Sequence, residues 1–459
     1  MSATVLRCVV AYAYWKATSY TRGSDPTRRC PINLQLPPHR LPLTLPPGPR
    51  RVSDFLRFDA QGLAQLSVAL VSTHTPRQCG IATFTSDLAE AIRRADPDIR
   101  TTWAAVDEAQ STHSYGPEVH WRIRQGCPDS YAEAAVALNN SDVDVVSLQH
   151  EFGLYGIWGE TFDDHLETFL DVLEKPLVVT LHTVLPNPSP SVRDAVQRIG
   201  RRSDAIMAMA GRARAILEQE YGLDPAKVHV IPHGVPPMGS LDREAAKAEL
   251  GLSGRRVIST FGFVDPRKGL EYMIEAMADV VRRHPDTLYM LLGRTHPDLA
   301  RYEGEKYRGG LVDLVASRGL EGHVVFIDRY LSQEQILNYL VASDIYVTPY
   351  LDPNQITSGT LSYALGAGKA IVSTRYAHAV EALADRRGLL VDFRSAEALA
   401  RAVTDILDSE ELRAELERNA TQYGAQMAWP SIGRRVAQLY RSVTAAAART
   451  GAEQPLLAS

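Results

Sequence analysis

The stretch DIYVTPYLDPNQITSGTLSYALGAGKAIVST (residues 344–374) decides the fold. It begins with a short apolar run, passes through polar and turn-forming residues into a helix of small residues, and ends on a second apolar run. Apolar runs without polar alternation are typical of strands buried on both faces, as in a parallel sheet. A strand, a helix and a strand in this order form the unit of a doubly wound α/β domain.

The same pattern extends in both directions along the chain. From residue 66, apolar runs such as LSVALVSTH and PLVVTLHTV alternate with amphipathic helices as far as VHVIPHGV, and the series restarts at RVISTFGFV. The break at 235–241 is rich in Pro and Gly, which favours an interdomain hinge. The sequence therefore predicts two Rossmann-like α/β domains, at 65–236 and 237–425, that face each other across a cleft. The remaining segment, 426–459, is predicted to be a helix and tail, with the helix packing back on the first domain.

Composition narrows the functional class. The 459 residues are 45% hydrophobic and 22% charged, which is ordinary for a globular protein of more than one domain. The formal net charge of -5 gives no support to a nucleic-acid partner. The four cysteines lack metal-binding spacing, which favours a reduced, cytoplasmic protein. No run of 18 apolar residues is present, so no membrane-spanning helix is expected.

The first 64 residues differ from the rest because they are basic and rich in proline. LPPHRLPLTLPPGPRR (residues 36–51) excludes a helix or a central strand, since proline fixes φ and lacks a donor. We predict a disordered extension, or a start codon placed too far upstream. The alternative is a basic arm that makes a weak peripheral contact with anionic lipid at the inner membrane face.

In the first domain, polar motifs follow the strands. Gly80 precedes a helix with Thr83 or Thr85 as its expected cap, and free N–H groups at such a start attract phosphate. The structural alternative is a tight turn between strand and helix.

Histidines end two further strands of this domain. His150 stands beside Glu151 at the end of one strand, and His182 ends the next. These groups can bind sugar hydroxyls or transfer a proton. The alternative for each histidine is a structural hydrogen bond to the backbone.

In the second domain, Arg267 and Lys268 stand at the start of a predicted helix. The helix dipole disfavours cations there, so these side chains are predicted to bind an anion such as a diphosphate. A solvated surface lysine is the alternative.

The loop before the small-residue helix carries a second set of polar groups. Gln355 offers an amide, and a run of four hydroxyl-bearing and glycine residues supplies donors for a phosphate or a sugar: Thr357, Ser358, Gly359 and Thr360. The alternative is a helix simply capped by Ser or Thr.

Taken in order, these motifs resemble those of GT-B fold, family 4 retaining glycosyltransferases. The resemblance covers about residues 66–440 and rests on PRQCGIATFTSDLAEAI, LQHEFG, VTLHT, VIPHGV, PRKGLEYMIEA, ASDIYVTPY, YALGAGKAIVST and HAVEALADRRGLLV. Members of this family carry two glutamates in an E-x7-E motif, and here those positions are Gln355 and Tyr363. An arginine common in the family is replaced by Phe263, whereas its partner Lys268 is kept. The chain is similar to a bacterial subgroup with a QITSGTL-type loop.

The resemblance implies transfer of a hexosyl unit from a nucleotide sugar to a carbohydrate or lipid-linked acceptor, with retention and without a metal or other cofactor. It implies catalytic roles for His150, Lys268 and Gln355, and acceptor contacts from Glu151 and His182. The implied donor-binding residues are Gly80, Arg267, Thr357, Ser358, Gly359, Thr360, Tyr363 and Glu381. Because both glutamates are replaced, two alternatives stay open: a GT-B phosphorylase, and a non-catalytic scaffold that binds nucleotide sugars.

Overall fold

The structure is a computed structural model and describes residues 65–77, 79–108, 111, 113–157, 163–238 and 242–452. The predicted extension at 1–64 lies outside these residues. In the described part of the chain, seven parallel strands form a first sheet in the order β3-β2-β1-β4-β7-β8-β9. These strands are β1 Leu66–Ser72, β2 Ile99–Asp107, β3 Val119–Arg124, β4 Val145–His150, β7 Leu177–Leu181, β8 Ala205–Ala208 and β9 Val228–Val230. A short antiparallel pair, β5 Gly156–Ile157 and β6 Asp163–Asp164, lies outside the sheet.

Helices alternate with the strands of the first domain, as the sequence predicts. They are α1 Gly80–Ala95, α2 Pro128–Asn139, α3 Leu166–Val172, α4 Pro190–Arg202 and α5 Gly211–Tyr221. Two apolar clusters cover the two faces of this sheet, which explains why its strands are apolar throughout.

Six parallel strands form the second sheet, again counting only described residues, in the order β12-β11-β10-β13-β14-β15. They are β10 Arg256–Phe261, β11 Thr287–Leu292, β12 Val324–Ile327, β13 Ile345–Thr348, β14 Ala370–Thr374 and β15 Leu389–Val391. The helices of this half are α6 Arg243–Glu249, α7 Leu270–Arg283, α8 Pro297–Glu303, α9 Lys306–Ser317, α10 Gln333–Ala342, α11 Gly359–Gly366, α12 Ala377–Ala382, α13 Ala396–Asp408 and α14 Glu410–Gly424. The predicted architecture of two Rossmann-like domains is confirmed.

The last helix, α15 Trp429–Ala452, crosses back to the first domain. Its Tyr440 hydroxyl donates to Ser147 Oγ at 2.7 Å, and Arg441 pairs with Asp96 at the end of α1 at 2.6 Å. A Cβ at Gly433 would lie 2.3 Å from the Ala91 carbonyl oxygen, so the two helices pack at close range. The second domain is thus connected to the first at two places along the chain. The exact domain limits given above stay predictions.

The two segments at which the backbone passes from one domain to the other lie side by side. The Val235 amide donates to Met427 O, and the Trp429 amide donates to Val235 O, each at 2.9 Å. A Cβ at Gly234 would collide with the Trp429 ring at 2.2 Å. The two backbone crossings are therefore adjacent, and the interdomain hinge expected at 235–241 stays a prediction. In the part of the chain that the structure describes, no helix is both long and apolar enough to cross a membrane.

Candidate active site

The predicted site residues gather where the carboxyl ends of the two sheets face each other. His150 is the last residue of β4, and the His182 amide, just after β7, donates to the His150 carbonyl oxygen at 3.0 Å. On the opposite wall, Lys268 follows β10 and the polar loop follows β13. Parallel strands bring their carboxyl ends to one edge of a sheet, so residues far apart in sequence meet there.

His150 is buried, with 4% of its surface exposed. Its ring stacks on Tyr155 with an interplanar angle of 10° and meets Phe152 edge-on. Burial lowers the pKa of His150 to about 4, so the ring is neutral at pH 7. Its Nδ1 has no hydrogen-bond partner among the described residues. A neutral imidazole with an unsatisfied nitrogen can bind a hydroxyl but supplies no charge.

His182 and Glu151 make local contacts on the same wall. His182 Nε2 lies 3.0 Å from Gln149 Oε1, and burial lowers the pKa of His182 to about 3. Glu151 accepts a hydrogen bond from Thr183 Oγ1 at 2.7 Å. The structure therefore places both predicted acceptor residues at the ends of neighbouring strands, β4 and β7. Their contact with an acceptor stays a prediction.

Helix α1 begins one turn earlier than the sequence suggests. Its N-cap is Cys79 and Gly80 is its first residue, so the prediction of Thr83 or Thr85 as cap is wrong. Thr83 and Thr85 instead donate back to the carbonyl oxygens of Cys79 and Ile81. Gly80 is exposed, and a Cβ there would meet nothing within 4 Å, so the helix start is open.

Lys268 is the last residue of a one-turn 3-10 helix, Pro266–Lys268, and is half-buried. Its Nζ lies 5.6 Å from the Tyr350 ring centroid and 2.5 Å from where a Cβ on Gly262 would stand. Gly262 has φ +113, so its missing side chain leaves the space that the ammonium fills. Burial lowers the pKa of Lys268 to about 8. No carboxylate or carbonyl oxygen in the described part of the chain pairs with this ammonium, and a solvated surface lysine does not fit this environment.

Arg267 differs from its neighbour because its charge is matched locally. Its guanidinium makes two bonds to Asp265, at 2.8 and 2.7 Å, and 55% of its side chain is exposed. Burial opposes ionisation of Asp265, but the hydrogen bonds and charge of Arg267 prevail and lower the pKa of that carboxyl. The predicted donor contact of Arg267 stays a prediction, and it would require a guanidinium already engaged by Asp265.

The polar loop leads into α11 through a network of hydroxyls. Ser358 is the N-cap and accepts from the Leu361 amide, as the capping alternative predicts. Thr360 Oγ1 lies 2.7 Å from the Tyr350 hydroxyl, the same ring that Lys268 contacts. Gln355 Nε2 donates to the Thr357 carbonyl oxygen at 3.2 Å. Lys268 and the start of α11 are therefore joined through Tyr350 in one polar cluster.

Two histidines that the sequence analysis did not single out lie beside this loop. His378 Nδ1 accepts from the Ser358 amide at 2.9 Å, and burial lowers its pKa to about 4. His233 Nδ1 lies 2.7 Å from the Gly234 carbonyl oxygen, so Nδ1 carries the hydrogen and Nε2 is an acceptor. A Cβ on Gly359 would lie 3.1 Å from that Nε2. The sequence feature that could have identified His233 is its position in VIPHGV, directly before the predicted interdomain hinge.

Glu381 links the two domains. Its two carboxylate oxygens accept from the backbone amides of Gly211 and Arg212, at 2.7 and 2.8 Å. These are the first two residues of α5 in the first domain, so Glu381 caps a helix of the opposite domain. The predicted donor contact of Glu381 stays a prediction, but both of its oxygens are already engaged in this state.

Replacing Glu381 with alanine should expose the start of α5. We expect faster hydrogen exchange at the Gly211 and Arg212 amides and a loss of about 1 kcal/mol in the free energy of unfolding, which is typical of a lost helix cap. Glu397→Ala is the matched control, because in the described part of the chain that exposed glutamate pairs only with Arg401 within its own helix. Equal effects of the two substitutions would contradict the capping role.

Tyr363 takes part in a second link across the cleft. Gln333 Nε2 donates to the Tyr363 hydroxyl and to Asp87 Oδ2, each at 2.8 Å. Asp87 belongs to α1 of the first domain, whereas the other two residues belong to the second. The Tyr363 ring also lies against Phe261, the residue before Gly262, at 5.9 Å between centroids. Sequence reasoning missed Asp87 and Gln333.

No group of three or more His, Cys, Asp or Glu among the described residues is arranged to hold a metal ion. Metal independence stays a prediction.

Known proteins resemble this chain in both halves. Residues 242–423 match a family model described as Glycosyl transferases group 1, and residues 79–238 match one described as Glycosyltransferase Family 4. A D-inositol 3-phosphate glycosyltransferase from Rhodococcus jostii (strain RHA1) is 26% identical over 293 residues, which is 59% of this chain and 62% of that protein. A phosphatidyl-myo-inositol mannosyltransferase from Mycolicibacterium smegmatis is 25% identical over 285 residues, covering 60% of this chain and 68% of that protein.

Solved structures resemble the whole fold. Sucrose-phosphate synthase from Thermosynechococcus elongatus superposes with a TM-score of 0.66 at 18% identity, covering 83% of this chain and all of that one. Anabaena HepE in complex with UDP superposes with a TM-score of 0.64 at 16% identity, covering 82% of this chain and all of that one. At such low identity the likeness concerns the fold alone.

Proposed function

This chain belongs to the glycosyltransferase family that these two models describe, and from that membership we propose that it moves a hexosyl unit from a nucleoside diphosphate sugar to a carbohydrate or lipid-linked acceptor. The proposed transfer retains the configuration at the sugar and uses no metal. The donor binds the second domain and the acceptor binds the first.

One observation carries the proposal: the half-buried Lys268 ammonium makes no hydrogen bond or ion pair in the described part of the chain, and the Asp265 carboxylate, which acts on it electrostatically, is already bound by Arg267. The ammonium lies next to Gly262, against Tyr350, and close to the hydroxyls that open α11. Burying an unpaired charge is unfavourable, so a site that keeps one is suited to an anionic ligand. A nucleoside diphosphate leaving group supplies the matching charge, and fixed donors around it stabilise the transition state without reorganisation.

The opposite wall supports recognition of a neutral sugar. His150, His182 and His233 are all held neutral by burial. Neutral imidazoles bind hydroxyls through one donor and one acceptor nitrogen, and they do not compete for the diphosphate. These three side chains therefore add hydroxyl-binding groups to the site without adding charge.

The replacement of both glutamates also favours a different role, a protein that binds nucleotide sugars without transfer. Gln355 and Tyr363 hydrogen-bond but carry no charge, so they stabilise a positively charged sugar less than carboxylates do. Donor hydrolysis or transfer separates the two roles, since a scaffold binds the donor and leaves it intact.

The first test is thermal stability of the purified protein against GDP-mannose, UDP-glucose and ADP-glucose. A ligand at about 100 times its Kd stabilises by about 2.7 kcal/mol, which is a measurable rise in melting temperature. We expect one of the three nucleotide sugars to raise the melting temperature of the unmodified protein. Proton NMR of the anomeric region then shows whether the donor is consumed and whether the configuration is retained. No shift with any nucleotide sugar, together with phosphate-dependent cleavage of a glycoside, would replace the proposal with a phosphorylase.

A further inference from the structure

The Asp87 carboxylate of the first domain joins a hydrogen-bond network with Gln333 and Tyr363 of the second domain. Asp87 on α1 accepts from Gln333 Nε2, and the same nitrogen donates to the Tyr363 hydroxyl. An amide nitrogen carries two hydrogens, so one can go to each acceptor. Asp87 Oδ2 accepts the first, and the Tyr363 oxygen accepts the second. The phenolic hydrogen of Tyr363 is then left to donate to another group.

Gln333 and Asp87, which form the first of these two hydrogen bonds, are held in place by their own neighbours. Gln333 is the first residue of α10, whose start is fixed by a capping box in which Ser332 and Gln335 bond each other's backbone amides. Burial raises the pKa of the Asp87 carboxyl, as expected for a group enclosed between two domains. One turn before it on α1, Phe84 packs edge-on against His233 and Trp429 at the hinge. The bond from Gln333 to Asp87 forms only while α1 and α10 face each other, and Asp87 has a second side-chain contact, with Trp429 at the start of α15.

Tyr363 directs this arrangement toward the donor site. Its ring lies between Phe261, which precedes Gly262, and His233, which faces Gly359. Gly359 begins α11, and Gly262 leaves the space that the Lys268 ammonium fills. A hydroxyl that has already accepted one hydrogen bond is a better donor in the next, because chained hydrogen bonds polarise one another.

We propose that Asp87 is a positioning residue for donor binding: through Gln333 it fixes the Tyr363 hydroxyl as a hydrogen-bond donor to an oxygen of the nucleoside diphosphate sugar, and it does so only when the two domains are closed. This inference rests on the proposed function. It explains how the site works with a tyrosine on α11, since the hydrogen-bond acceptor that holds the network comes from the opposite domain.

The test is a double-mutant cycle on donor Kd and on the split between KM and kcat. Asp87→Ala and Tyr363→Phe should each weaken donor binding by about tenfold, the net value of one hydrogen bond. The pair Asp87→Ala/Tyr363→Phe should be no weaker than Tyr363→Phe alone, because both substitutions remove the same contact. Asp87→Asn should restore most of the affinity, since its amide oxygen still accepts from Gln333. Glu90→Gln, on the exposed face of the same helix, is the control.

Additive effects of Asp87→Ala and Tyr363→Phe, or an unchanged donor Kd in Asp87→Ala, would overturn the inference. X-ray scattering of the ligand-free protein provides a separate measurement, in which Asp87→Ala should increase the radius of gyration relative to Glu90→Gln. If the unmodified protein binds no nucleotide sugar, the proposed function fails and the donor role of Tyr363 fails with it. An unchanged radius of gyration in Asp87→Ala would then overturn the closure role as well.

Discussion

Replacing Lys268 with methionine is expected to lower turnover by about a hundredfold to a thousandfold, which is the usual effect of deleting one preorganised donor at a developing charge. Methionine keeps the length of the side chain and packs against Tyr350 through its sulfur, so the fold should persist. Because the substitution removes a half-buried cation that makes no hydrogen bond or ion pair in the described part of the chain, we expect thermal stability at least equal to that of the unmodified protein. Lower turnover without a loss of thermal stability would show that Lys268 acts on the bound donor and does not support the fold.

The pH dependence gives a second readout of the same residue. Burial lowers the pKa of Lys268 to about 8, so the ammonium is present at neutral pH and is lost as the pH rises above that value. A diphosphate binds the protonated form, so the Kd of the donor should be constant below pH 8 and should rise about tenfold for each further unit. Lys268→Met should remove this dependence.

The control for Lys268 is Lys306→Met on α9, an exposed lysine outside the cleft. It should leave donor Kd, turnover and the pH profile unchanged. A Lys268→Met protein that binds nucleotide sugars as well as the Lys306→Met protein would show that the diphosphate is held elsewhere.

The strands, the helices and much of the site were predictable from the sequence for a physical reason. Buried parallel strands leave apolar runs, and their carboxyl ends share one edge, so polar groups that follow such runs tend to meet. His150 and His182 meet in this way at the edge of the first sheet, and Lys268 and the loop before α11 do so at the edge of the second. The local pairing of Arg267 was also accessible, because Asp265 stands two residues before it in the same turn.

The contacts that the sequence did not predict depend on the position of one domain relative to the other. Glu381 lies 170 residues from Gly211, and Gln333 lies 246 residues from Asp87. Each contact forms between two separately folded units, and hydrophobic periodicity within either unit carries no information on it. His233 was missed for a related reason, since a hinge residue belongs to neither sheet and acts only once both are placed.

Replacing Gly293 with alanine is expected to destabilise the second domain by about 3 kcal/mol, from backbone strain together with a steric clash. Gly293 follows β11 with φ +135, a conformation that residues with a side chain rarely adopt. A Cβ there would lie 2.4 Å from the Gly262 carbonyl oxygen, and that oxygen belongs to backbone that cannot rotate away. The Gly262 amide donates to Leu292 O at 2.9 Å, so relief of the clash would shift the turn beside Lys268.

Gly310→Ala is the matched control for this prediction. Gly310 is exposed within α9, nothing lies within 4 Å of a Cβ there, and alanine in a helix is favoured over glycine by about 0.5–1 kcal/mol. Hydrogen exchange of peptides from β10 and β11 should therefore accelerate in Gly293→Ala and slow slightly in Gly310→Ala. Donor affinity should fall in the first variant alone, because only there is the Gly262 turn displaced. Equal exchange in the two variants would mean that the ends of β10 and β11 relax freely, and that the position of Lys268 does not depend on their close packing.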